Sequence, residues 1–273
     1  AECLYLSGDK AGAVPVYRKI VAGFKTSPQL SNVYYALGTA EQELEQFDEA
    51  SKTFAEFLKA YPDSTQANEC RLRLGLVQIE RKQYTAADPL LAQVAALKDF
   101  PFADFALLKQ AESKLKQDKL ADAAALYESL PQRFAKSSYL SAALLAGGKC
   151  RYRSDQLAQA QTDFTAVVAT KSPEAAEAAY WLGRSQIRLK KPADAVKTLD
   201  AALAAYPKSE FKPQITFARI DAIYEQPARR KETVALYAAF AQTNTLHELA
   251  PDALYRASLA ALQLADYPTA KTH

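Results

Sequence analysis

The chain has 273 residues, 49% hydrophobic and 24% charged, and its 34 basic and 31 acidic residues leave a formal net charge of +3. So mild a balance excludes a protein that grips nucleic acid through bulk charge. No run of about 20 apolar residues is present to cross a bilayer as a helix, and no Gly-rich phosphate loop, Gly-x-Ser-x-Gly elbow or His-based metal motif supports catalysis.

Along the chain a small residue is followed four positions later by a bulky one: Ala13/Tyr17, Ala50/Phe54, Ala87/Leu91, Ala123/Tyr127, Ala160/Phe164 and Ala195/Leu199, with steps of 35 to 37 residues. A fixed period of that length is the signature of a repeat protein. The register falters at Thr233/Tyr237 and returns at Ala270. Twelve residues before these anchors stand Gly38, Gly75, Gly148 and Gly183, with Ala111, Asp221 and Ser258 in the same place elsewhere. Glycine inside a helix costs about 1 kcal/mol relative to alanine, so its return predicts a close contact between helices. Each unit closes on phrases such as Ala60-Tyr61-Pro62-Asp63-Ser64, Arg133-Phe134-Ala135-Lys136-Ser137 and Ala205-Tyr206-Pro207-Lys208-Ser209. Pro62 and Pro207 are expected to end a helix, having no N–H to donate.

Between these landmarks apolar residues fall at helical spacing. Val33, Tyr34, Leu37, Ala40 and Leu44 make one stripe, and Phe47, Ala50, Phe54, Phe57 and Leu58 the next, so each unit is predicted to be two helices joined by a short turn. Pro192 and Pro268 sit where a helix start tolerates a missing N–H. Strand patterns are absent. Carboxylate pairs such as Glu41/Glu45 and Asp48/Glu49 are expected to be solvated charges.

The stretch from Ser31 to Ser64, with Tyr34, Leu37, Gly38, Ala50, Phe54 and Pro62, resembles the tetratricopeptide repeat (TPR) family, as does the unit around Leu182, Gly183, Ala195, Ala202 and Pro207. Glu41 departs from the tyrosine usual there. The resemblance implies an all-α, right-handed superhelical solenoid of antiparallel helix pairs, with about six complete repeats and partial ones at both ends, forming one domain over 1–273. The period and the Tyr-Pro-x-Ser closure also resemble bacterial envelope TPR proteins of the Tol-Pal-associated and outer-membrane-assembly lipoprotein type, which implies a periplasmic or outer-membrane-associated protein. Both chain ends cut a repeat and the chain lacks methionine, so a piece of a longer protein is expected, with any membrane contact made by segments outside this chain.

Cys3, Cys70 and Cys150 lie on predicted first helices and are expected to be buried, unpaired small residues; no CxxC spacing supports a zinc site. His247 is expected to be an ordinary surface residue. No catalytic residue, cofactor, metal or small-molecule substrate is expected. The TPR resemblance implies that first helices line a concave groove that binds a peptide or partner domain. Positions one and five after the glycine are Lys149, Arg153, Arg184 and Arg188, a basic pair in each of two adjacent units. Residues four apart share a helix face, so the four make one patch, with Tyr152 and Tyr180 as flat contact area and Leu72, Leu76 and Ile79 as apolar groove residues. Its partner would be acidic, a peptide, domain or anionic polymer; plain solvated charge is the other reading. Tyr35, Thr39, Leu72 and Leu76 stand where a peptide-carboxylate clamp needs Asn and Lys. Self-association in a larger assembly is the alternative function, and RNA binding lacks the recurrent polar pair it needs.

Overall fold

The computed structural model describes residues 1–273 and is helical throughout, without strands. It divides into two compact units, Ala1–Tyr139 and Leu140–His273. The first contains α1 (Glu2–Leu6), α2 (Lys10–Gly23), α3 (Leu30–Glu43), α4 (Phe47–Ala60), α5 (Ala67–Glu80), α6 (Tyr84–Ala95), α7 (Ala103–Lys116) and α8 (Leu120–Arg133). The second contains α9 (Leu140–Arg153), α10 (Leu157–Thr170), α11 (Ala175–Arg188), α12 (Pro192–Ala205), α13 (Lys212–Tyr224), α14 (Glu232–Thr243), α15 (Ala250–Gln263) and α16 (Tyr267–Thr272). No helix is long and apolar enough to cross a membrane.

The turn inside each helix pair has one construction. Gly8, Glu45, Lys82, Asp118, Asp155, Lys190 and Ala265 all adopt positive φ, between 56° and 90°. After each of these except Gly8 the next amide N–H reaches back to a carbonyl of the last helical turn, as from Gln46 to Glu41 at 2.9 Å, Gln83 to Gln78 at 2.8 Å and Lys191 to Gln186 at 2.9 Å. This closure satisfies helix carbonyls that would otherwise be orphaned. Only Gly8 among these residues is a glycine, so the turns carry no sequence mark. Between α13 and α14 the closure is replaced by a short 3-10 turn, Pro227–Arg229.

The Ser of the closing phrase has a role. Ser64, Ser137 and Ser209 each accept through Oγ from the backbone N–H two residues on, at 3.3, 3.1 and 3.1 Å. His247 takes the same place with Nδ1, accepting from Leu249 N–H at 3.1 Å, and its ring packs edge-on against Phe240. α4 and α12 stop before Pro62 and Pro207, and Pro192 opens α12.

The core lies where the small and bulky anchors meet. Ala50, Ala87, Ala123, Ala160 and Ala195 are fully buried at 0%, as are Phe54, Leu91, Phe164 and Leu199, with Tyr127 at 2%. A Cβ placed on Gly38 would sit 2.7 Å from Phe54, on Gly75 2.8 Å from Leu91, on Gly148 2.6 Å from Phe164 and on Gly183 2.6 Å from Leu199. The glycines therefore let one helix of a pair approach the bulky residue of the other. The faltering register at Thr233/Tyr237 is a change of side chain and not of packing, since Thr233 is 0% and Tyr237 1% exposed.

Two expectations need correction. Glu41 is not a solvated charge: it is 1% exposed and accepts from Arg18 Nη2 at 2.7 Å and Thr53 Oγ1 at 2.6 Å. Those partners supply the hydrogen bonds a buried carboxylate needs. Cys3 is exposed on α1, while Cys70 and Cys150 are buried. Burial pushes the Cys70 thiol up to about 12 and raises that of Cys150, which makes both poor nucleophiles.

Candidate functional site

The first helices of successive pairs pack side by side. In the second unit α9 packs on α11 and α11 on α13, and in the first unit α3 packs on α5 and α5 on α7. This layer brings α9 residues 140–153 against α11 residues 175–188. The basic positions expected from the sequence thus meet on neighbouring helices, with an aromatic cluster among them.

Trp181, the single tryptophan of the chain, stands at the centre. Its ring lies 5.2 Å from Tyr152 and 5.2 Å from Tyr180, both nearly edge-on, and stacks at 6.4 Å on Phe164. Each of three cations faces one ring. Lys149 Nζ is 5.8 Å from the Trp181 centroid, the Arg184 guanidinium 5.7 Å from Tyr180, and that of Arg188 4.6 Å from Tyr152. Such contacts are worth about 0.5–1 kcal/mol at exposed sites and more when desolvated.

The cations differ in how they are compensated. Lys149 pairs with Glu177 at 2.7 Å, and the Trp181 indole N–H donates to the same carboxylate oxygen at 3.1 Å. Arg188 pairs with Asp155 at 2.6 Å and donates to the Tyr152 carbonyl at 3.0 Å. Arg184 has no carboxylate within ion-pair distance; the nearest negative charge acting on it is that of Asp221 on α13. Its Nη1 donates to the Tyr180 hydroxyl at 2.7 Å, so one neutral oxygen takes one of its five donors. Arg153 is exposed on the last turn of α9.

The other candidates are placed differently. Tyr152 is 8% exposed and serves as a platform for Arg188 and Trp181, not as free contact area. In the first unit Leu72 is 5% exposed and packed away, and Leu76 is half-buried, so Leu72 offers little surface to a ligand. Trp181 is not among the groove positions that the repeat spacing picks out. Its uniqueness and its place between Tyr180 and Leu182-Gly183 were the available signals.

The α9–α11 layer thus gathers three cations on an aromatic cluster, within an array of paired helices of helical-repeat type. Tetratricopeptide repeat family models match residues 35–93 and 145–210 and, separately, 105–137, together more than half of the chain. The chain belongs to the tetratricopeptide repeat family. Solved structures agree in fold. The C-terminal part of a TPR repeat-containing protein from Cytophaga hutchinsonii aligns at TM-score 0.71 and 14% identity, over 93% of this chain and 97% of that one. YrrB, described as a TPR protein with an unusual peptide-binding site, aligns at 0.56 and 16% identity, over 74% and 97%. PilF of Pseudomonas aeruginosa aligns at 0.54 and 20% identity, over 76% and 88%. No curated protein sequence matches the chain.

Proposed function

We propose that this chain is a non-catalytic protein-interaction scaffold whose α9–α11 face captures an acidic segment of a partner protein. The family and its structural neighbours support the interaction role. The observation that carries the acidic partner is Arg184, a half-buried guanidinium on an aromatic platform that makes no direct ion pair and feels only the more distant Asp221. Arginine and aromatic residues commonly supply the strong contacts of an interface, and a partner carboxylate would take the forked pair of donors that Tyr180 leaves unused.

Trp181 fluorescence tests this directly. A hexaglutamate peptide should give a saturable change that hexalysine does not, and Arg184→Glu with Arg188→Glu should abolish it while helicity is kept. An equal response in the variant would remove the assignment.

A second reading, self-association in a larger assembly, would show as a mass that rises with concentration in sedimentation. The Tyr-Pro-x-Ser closure supports a place in the bacterial envelope, which cell fractionation would test.

A further inference from the structure

A guanidinium seated on a tyrosine at the end of a first helix recurs in the second unit. At the last turn of α9, Arg188 lies 4.6 Å from the Tyr152 ring centroid and donates through Nη1 to the carbonyl of that same tyrosine at 3.0 Å. At the end of α13, Arg230 lies 4.8 Å from the Tyr224 ring centroid and donates through Nε to the Tyr224 carbonyl at 3.1 Å. The two arginines arrive by different routes. Arg188 comes from the next first helix, α11, whereas Arg230 comes from the connection that follows Tyr224 itself. Each gains twice, from the negative face of the ring and from the C-terminal end of a helix, where a cation is favoured.

The two sites differ in one partner. Arg188 also donates through Nη2 to Asp155, three residues after Tyr152, at 2.6 Å. Three residues after Tyr224 stands Pro227, which opens the 3-10 turn between α13 and α14 and brings no acid. The carboxylates near Arg230 are engaged elsewhere. Glu232 takes Nε and Nη2 of Arg229 at 3.2 and 2.9 Å, Glu225 lies 3.8 Å from Lys190, and Asp221 accepts from Tyr237 and Arg256. With only Nε committed, to a carbonyl, Arg230 keeps four of its five donors on its two terminal nitrogens. Arg230 is half-buried, and Pro227, Ala228 and Lys231 beside it are exposed, so a partner can approach the turn from solvent.

The Arg188 site shows what completes such an arrangement. We propose that Arg230 on Tyr224 is a second anchor for the acidic partner, its terminal nitrogens taking the carboxylate of an aspartate or glutamate side chain as Arg188 takes that of Asp155. The guanidinium fork matches a carboxylate with parallel N–H···O bonds. Tyr224 is itself held, its hydroxyl donating to Gln263 at 2.7 Å, so the platform is fixed before the ligand arrives. Lys231 adds a positive charge to the approach. Because α11 packs on α13, the site lies one first helix along from Arg184 and lengthens the acidic segment the layer can hold. The site rests on the scaffold reading for its occupant, but on none of the α9–α11 contacts for its geometry.

A titration of the full chain with N-acetylated, C-amidated hexaglutamate, followed by NMR, tests it. The Tyr224 ring signals and the Arg230 Nε–H signal should shift and saturate, and capped hexaglutamine should move neither. Arg230→Gln should abolish the Tyr224 shift. Arg230→Lys, which keeps the charge and loses the fork, should weaken binding at Tyr224 at least about fivefold. Trp181 reports the α9–α11 face separately: with Arg184→Gln and Arg188→Gln together its response should fall while the Tyr224 shift persists. A Tyr224 shift that disappears with those two arginines, an equal titration in Arg230→Lys, or no shift up to about 10 mM peptide would each overturn the proposal. A wild-type chain in which Tyr224 shifts and Trp181 does not respond would sink the α9–α11 reading and uphold this one.

Discussion

The Tyr237 hydroxyl donates to Asp221 Oδ1 at 2.6 Å, and these two residues occupy the places where Gly183 meets Leu199 one unit earlier. A steric fit between a glycine and a bulky side chain is replaced there by a hydrogen bond, which Arg256 Nη1 joins at 2.8 Å. Burial pushes the Asp221 carboxyl above its ordinary 3.8, against the opposing pull of Arg256 and Tyr237. The folded chain therefore binds that proton more tightly than the unfolded chain. The stability contributed by Asp221 must then fall as pH rises from about 3.8 through the folded value. Asp221→Asn should lose this dependence, so the advantage of the wild type over the variant shrinks from about pH 4 upward. Urea midpoints across pH measure it, and an advantage that grows with pH would refute the account.

Asp88 makes the opposite prediction. Burial alone would raise its carboxyl, but hydrogen bonds from Gln117 at 2.9 Å, Lys114 at 2.6 Å and Ser113 at 2.7 Å outweigh it and hold the group below its ordinary 3.8. Its contribution is present above that value and is lost as pH falls through the folded value. Asp88→Asn should cost about 1–3 kcal/mol at neutral pH, and the two chains should converge in acid. Thermal melts at pH 7 and pH 3 compare them.

Gly183→Ala tests the close approach of α11 and α12. Alanine gains about 1 kcal/mol of helix propensity, yet its Cβ would lie 2.6 Å from Leu199. Overpacking of this kind costs about 1–3 kcal/mol, so a net loss is expected, and in a chain that already carries Leu199→Ala the same glycine substitution should cost less. A more stable single variant in urea titration would show that the helices separate freely.

Much of the fold was readable because packing between the two helices of a unit recurs at a fixed step. The Gly183/Leu199 contact joins residues of one pair, and its small and bulky partners repeat elsewhere. What stayed hidden depends on partners met once. Glu41 reads as a surface charge until Arg18 and Thr53 close on it from flanking helices. Lys149 and Arg188 read as free cations until Glu177 and Asp155, from the neighbouring pair, neutralise them. The turns were invisible for another reason: Glu45, Lys82 and Ala265 adopt a backbone that glycine prefers, so their identities signal nothing.

That turn geometry yields a stabilising change. Lys82 is exposed at φ 59°, a conformation that costs a residue with a Cβ about 1–2 kcal/mol. Glycine removes the strain but adds roughly 0.4–1 kcal/mol of unfolded-chain entropy to be lost on folding. Lys82→Gly should therefore stabilise the chain by about 0.5 kcal/mol, read as a higher urea midpoint with unchanged slope. A lower midpoint would mean that the Lys82 side chain contributes more than its backbone costs.

The carboxylates that neutralise the α9–α11 cations must compete with any acidic ligand. Glu177 holds Lys149 at 2.7 Å with the lysine 41% exposed, so this pair is worth no more than about 1 kcal/mol. Glu177→Gln keeps an oxygen for the Trp181 indole N–H and removes the competing charge. Hexaglutamate should then bind about two- to fivefold more tightly, with a steeper loss of affinity as salt is added, because one more cation faces the ligand. Asp155→Asn should act in the same direction through Arg188. If both variants bind hexaglutamate as the wild type does, Lys149 and Arg188 contribute to the helix layer alone, and recognition of an acidic segment would rest on Arg184.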